Sequence, residues 1–69
     1  MNDVEYLKQI GVKVRSARKA KGITIKQLSE LISMNYANTN YIELGQRNPS
    51  VITLRKIAAA LRVDVKDFL

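Results

Sequence analysis

From Val4 to Ala20, apolar residues recur at Val4, Leu7, Ile10, Val14 and Ala17. Spacings of three and four place them on one face of a helix. Asn2 or Asp3 is suited to cap its start, and Gly22, directly after a lysine-rich turn, marks its end. Thr24-Ile25-Lys26-Gln27 is a capping-box sequence and predicts a second helix running to about Ile32. Ser33 and Met34 interrupt it. Asn35 then caps a third helix, Tyr36 to Glu43, which Gly45 ends by accepting a left-handed conformation. Gln46-Arg47-Asn48-Pro49 resists helix formation, because proline drives the residue before it toward extended backbone. Ser50 caps a fourth helix, Val51 to Leu61, with Ile52, Leu54, Ile57, Ala58 and Leu61 as its core face. Asp64 caps a last turn, Val65 to Leu69, in which Val65, Phe68 and Leu69 are apolar. No segment alternates as a strand does, and there is no internal repeat or low-complexity linker. The pattern predicts an all-α, compact bundle of five short helices forming one domain over residues 1–69.

Composition narrows the chemistry. With 69 residues, 46% of them hydrophobic, the chain has material for one modest core. Such a core leaves a margin of roughly 3–5 kcal/mol, so self-association is expected on energetic grounds. There is no cysteine and no histidine, which removes disulfide frameworks and thiolate or imidazole metal sites. The three glycines are scattered singly, so no phosphate-cradling loop is present. Catalysis is therefore the least favoured class, and no cofactor, metal or small-molecule ligand is expected. No apolar run approaches the roughly 20 residues of a membrane span, and the amino terminus lacks the basic-then-apolar pattern of a signal segment. A soluble, cytoplasmic protein is expected. Twelve lysines and arginines against six acids give +6, the electrostatic footprint of a phosphate-rich partner such as nucleic acid. Solvated lysine faces produce the same total, so the arrangement of residues has to decide.

The second and third helices meet across a turn of a few residues, the layout of a helix-turn-helix. More specific is the sequence itself. Ile10, Val14 and Arg18, then Gly22-Ile23-Thr24 and Leu28-Ser29-Glu30, are followed by Ile42-Glu43 and Gly45. Arg47-Asn48-Pro49-Ser50, Thr53-Leu54, Ile57-Ala58 and Ala60-Leu61 complete the series. In order and interval these residues, from Ile10 to Leu69, resemble the lambda-repressor and Cro-like family of bacterial and phage regulators, also called the XRE family. The resemblance implies a regulator of transcription that binds double-stranded DNA as a homodimer, with the helix from Tyr36 to Glu43 as its recognition helix.

Helical spacing turns Thr39 and Ile42 to the core and leaves Tyr36, Ala37, Asn40 and Tyr41 on the opposite face, where they are the expected base-contacting residues. Asparagine pairs bidentately with adenine, and alanine or a tyrosine ring suits a thymine methyl, so an A/T-containing half-site is expected. The competing reading packs the tyrosines against neighbouring helices. Expected phosphate contacts are Asn35 and Asn38 at the start of the recognition helix, Arg47 and Asn48 in the following loop, and Arg15. The resemblance further implies an ion pair between Arg18 and Glu43. It also implies a dimer surface toward the carboxyl end, for which Leu44, Ile52, Val65 and Phe68 are the expected residues, unless Phe68 plugs the monomer core. A two-fold dimer sets its recognition helices about 34 Å apart and calls for a roughly palindromic operator.

Four positions depart from the family. Ile25 replaces a glutamine that helps hold the DNA backbone, and Leu44 replaces a polar residue. Ser33 stands where a turn glycine is common, predicting a less left-handed turn, and Thr39 stands where an aliphatic core residue is common, predicting a slightly under-filled core. The rival function is a protein-interaction module, such as an antitoxin, antirepressor or coactivator-like adaptor, gripping a protein with the exposed tyrosines.

Overall fold

Each helix begins where a short polar side chain can accept a hydrogen bond from a free backbone amide. The computed structural model describes residues 2–69. Asn2 Oδ1 accepts from Glu5 N at 2.8 Å and opens α1, Asp3–Ala20. Thr24 and Gln27 form the reciprocal capping box that opens α2, Ile25–Leu31. Asn35 Oδ1 accepts from Asn38 N at 2.7 Å at the start of α3, Tyr36–Glu43. Ser50 Oγ accepts from Thr53 N at 3.0 Å at the start of α4, Val51–Leu61. Asp64 opens a final 3-10 turn, Val65–Phe68. Each cap contributes about 1 kcal/mol, a substantial share of the margin of so small a domain. The expected fifth helix is thus only a single 3-10 turn, and the described residues form four α-helices and no strand.

The helices also end alike. In every case a residue one or two positions beyond the helix adopts positive φ (Gly22, Ser33, Gly45 and Arg62), and the backbone closes with one i to i−5 and one i to i−3 hydrogen bond, the Schellman pattern. After α1 the pair is Ile23 N to Arg18 O and Gly22 N to Lys19 O; after α3 it is Gln46 N to Tyr41 O and Gly45 N to Ile42 O. After α2 it is Met34 N to Ser29 O and Ser33 N to Glu30 O, and after α4 Val63 N to Ala58 O and Arg62 N to Ala59 O. Ser33 has φ +56° and Arg62 φ +57°. The expectation of a less left-handed turn at Ser33 is therefore corrected: the two closure bonds hold the conformation without glycine. Replacing Ser33 or Arg62 by glycine removes the Cβ penalty of this region, and each change should raise stability by about 1 kcal/mol. In a domain of this size that is a rise of roughly 4–8 °C in melting temperature, measurable by circular dichroism.

The core consists of Ile10, Val14, Leu28, Ile32, Ile42, Leu54, Ile57, Ala58, Leu61 and Phe68. Helix α1, about 27 Å long at 1.5 Å per residue, runs nearly the full length of a molecule measuring 30 × 23 × 20 Å. It outreaches its shorter partners, so Val4 on its first turn is exposed, Leu7 is half-buried and the buried stripe starts at Ile10. Two expectations about the apolar surface are corrected. Phe68, proposed for a dimer surface, is 1% exposed. The 3-10 turn packs on α1 and α4, and its three-residue repeat turns Val65 and Phe68 inward together, leaving Val65 half-buried. Ile52, assigned to the core face of α4, is 58% exposed, because it lies about 200° around the helix from Leu54.

Thr39 is fully buried, and its hydroxyl donates to Asn35 O at 3.1 Å. The polar residue at this core position is thus satisfied. Among the described residues no buried side-chain nitrogen or oxygen lacks a partner, and no helix is long and apolar enough to cross a membrane.

Candidate nucleic-acid interface

The inner side of α3 is fixed by three buried residues, Thr39, Ile42 and Glu43. Glu43 is gripped by Arg18 of α1: Nε donates to Oε2 at 2.7 Å and Nη2 to Oε1 at 3.0 Å. The remaining guanidinium nitrogen, Nη1, donates to Ile23 O at 2.8 Å. One planar cation therefore ties α1, the turn after it and the last residue of α3 together, with side chains 9% and 3% exposed. Arginine suits this position because its fork matches both carboxylate oxygens at once. The ion pair inferred from the family resemblance is present.

Alongside it the two helices touch backbone to backbone. Gly11, buried in the middle of α1, lies against the carbonyls of Ile42 and Glu43 so closely that a Cβ would stand 2.7 Å from Ile42 O. Gly45, just beyond α3, combines φ +73° with a similarly close approach to the backbone of Lys8. The carboxyl end of α3 is thereby held rigidly, and its outer face is left open.

On that face Tyr36 is 56% exposed, Ala37 is exposed, and Tyr41 is 39% exposed. Asn40, expected to point fully outward, is half-buried. Asn35 spends its Oδ1 on the cap, which leaves its amide NH2 group as the part available to a phosphate. Asn38 is half-buried and lines a shallow hollow with Arg47, Asn48 and Ser50, backed by Met34, Ile42 and Thr53. Three of the five expected phosphate contacts therefore come together between α3 and the loop that follows it. Arg15 is exposed on α1, and no side-chain hydrogen bond links it to this group. Two features carry no signal in helical periodicity. One is the approach at Gly11; the other is the position of the Arg47 guanidinium over the Tyr41 ring, 5.5 Å from its centroid. A glycine inside a long apolar-striped helix was the available clue to the first.

Elsewhere, Leu44 and Ile52 are exposed. Among the described residues no group of three or more His, Cys, Asp or Glu is placed to hold a metal ion.

The fold is shared with known proteins. The restriction-modification controller protein C.AhdI from Aeromonas hydrophila superposes with a TM-score of 0.88 at 30% identity, over 91% of this chain and 96% of that one. The clp gene regulator ClgR from Corynebacterium glutamicum superposes with the same score at 27% identity, over 91% of this chain and 67% of that one. The BldD DNA-binding domain of S. venezulae gives 0.83 at 28% identity, over 94% and 97% of the two chains. No curated protein shows a significant match. The helix-turn-helix family HTH_3 matches residues 14–68, and the chain belongs to this XRE-type helix-turn-helix family.

Proposed function

We infer that the protein is a sequence-specific regulator of transcription that binds double-stranded DNA with α3 in the major groove. The observation that carries this reading is the mounting of α3. Its inner side is locked by the Arg18–Glu43 pair and the Gly11 contact, while Tyr36, Ala37 and Tyr41 stand outward from the open side. A reading helix needs such a rigid mount and a free face. The similarity to a restriction-modification controller, a gene regulator and a DNA-binding domain supports it, as does the net charge of +6. Tyr36, Ala37 and the rim of Asn40 face the bases, while Asn35, Asn38, Arg47, Asn48 and Arg15 meet phosphates. Two copies pair through a surface that includes Leu44 and Ile52, with Val65 at its edge, and the operator is pseudo-palindromic.

Selection of bound sequences from a random duplex library tests this directly, followed by titration of the best site over a range of salt concentrations. The expected result is an enriched inverted repeat whose affinity falls steeply with salt, as the release of several counterions requires. Binding with no enriched sequence would overturn the reading, and the absence of binding would redirect attention to a protein partner. On the selected site, Tyr36→Ala should weaken binding by about tenfold and relax preference at one position of each half-site. Unchanged affinity and preference would remove Tyr36 from the base-reading set.

A further inference from the structure

Tyr36 and Tyr41 are both exposed on α3, but they lie about 140° apart around its axis and their surroundings differ. Tyr36, at the first position of α3, is the more open of the two at 56% exposure. Tyr41 lies five residues, about 7.5 Å, further along the axis, and is 39% exposed, with Arg47 over its ring. The backbone explains how Arg47 reaches it. Tyr41 O accepts from Gln46 N at 2.9 Å, the long bond of the Schellman closure, and Gly45 turns the chain back at φ +73°. Arg47, two residues after Gly45, is thereby returned alongside the second turn of α3. There it joins Asn38, Asn48 and Ser50 around the hollow already described. Arg47 has no hydrogen-bonded or ionic partner among the described residues, so the ring of Tyr41 is the contact that orders it.

We propose that Tyr41 is a positioning residue: it holds Arg47 in place for a phosphate of the DNA backbone instead of reading a base edge itself. This rests on the reading of the domain as DNA-binding. A guanidinium stacked on an aromatic face keeps its in-plane N–H donors free, and these match the oxygens of a phosphate. Stacking also orders a long, exposed side chain before the DNA arrives, so less of its freedom is lost on binding. The loop thus gains a pre-set anchor for the backbone, while the first turn of α3 is left to address the bases.

Two measurements test the proposal. In the free protein, the Arg47 side-chain resonances should carry a ring-current shift that disappears in Tyr41→Ala and is restored in Tyr41→Phe. With the duplex selected above, log-log salt titrations of Arg47→Gln should show the slope reduced by about 1.8, the equivalent of two phosphate contacts, one from each subunit of the dimer. Tyr41→Ala should lose a similar part of the slope, Tyr41→Phe should regain it, and Tyr41→Ala/Arg47→Gln should be no weaker than Arg47→Gln. A repeat selection with Tyr41→Ala should return the wild-type sequence. Arg47 resonances insensitive to Tyr41→Ala would overturn the stack without reference to DNA. A full slope with an altered base preference in Tyr41→Ala would overturn the positioning role in favour of base reading. Failure of the wild-type protein to bind any duplex would overturn the DNA-binding reading, and the phosphate role with it, even where the ring-current shift is present.

Discussion

Glu43→Ala is expected to lower the unfolding free energy by about 3–5 kcal/mol, comparable with the whole margin of a domain this small. The magnitude follows from what remains. Arg18 keeps its bond to Ile23 O, but two of its donors lose the carboxylate, and the cation stays in a site where its side chain is 9% exposed. An unpaired buried charge costs far more than a solvated one. The attraction itself contributes less than this loss implies, because forming the pair already required removing both ions from water. A double replacement, Arg18→Met with Glu43→Leu, should therefore recover most of the stability. Raising the salt concentration should do little for Glu43→Ala, since buried charges are weakly screened. Urea denaturation of the three proteins at low and high salt distinguishes these terms. A loss below about 1 kcal/mol in Glu43→Ala would show that solvent reaches the pair freely.

The same pair separates what the sequence displays from what it conceals. Helix starts were legible because capping is local: Asn2, Thr24, Asn35, Ser50 and Asp64 each act on an amide two or three residues ahead. The left-handed ends at Ser33 and Arg62 were not, since neither residue type signals positive φ and the backbone closure alone maintains it. Apolar surface was the least legible feature. Ile52 and Phe68 are both large and apolar, yet the angular position of one on α4 and the three-residue repeat of the turn carrying the other send them to opposite environments. The pair itself, between residues 25 apart in the chain, was reached through family resemblance, because no local rule links Arg18 to Glu43.

The candidate site divides along the same line. The outward face of α3 follows from helical periodicity, so the exposure of Tyr36, Ala37 and Tyr41 was accessible from spacing alone. The hollow joining Asn38 to Arg47 and Asn48 depends on how the loop folds back after Gly45, and periodicity ends where the helix does. The mount of α3 is likewise tertiary. It depends on a missing side chain at Gly11 in one helix meeting a carbonyl in another, a complementarity no single segment encodes.

Gly11→Ala puts that complementarity to the test with a result opposite in sign to the usual one. In an exposed helix interior this substitution gains about 1 kcal/mol, because alanine loses less backbone freedom on folding. Here the new Cβ would press on Glu43 O and stand 2.7 Å from Ile42 O and 2.8 Å from Glu43 C. These are backbone atoms of α3, which cannot swing aside as the tip of a side chain does. The helices must separate, and overpacking of this kind costs about 1–3 kcal/mol, enough to reverse the propensity gain. Separation at this point also displaces the residue that Arg18 grips, so a second loss is expected through the ion pair. The variant should melt lower than wild type, and, with α3 as the proposed reading helix, its affinity for the selected duplex should fall even at temperatures where it is fully folded, because α3 has been re-aimed. Thermal melts followed by duplex titration well below the transition provide both readings. A higher melting temperature in Gly11→Ala would mean that α1 and α3 are not in backbone contact in solution, and the rigid mount proposed for α3 would then have to rest on Arg18 and Glu43 alone.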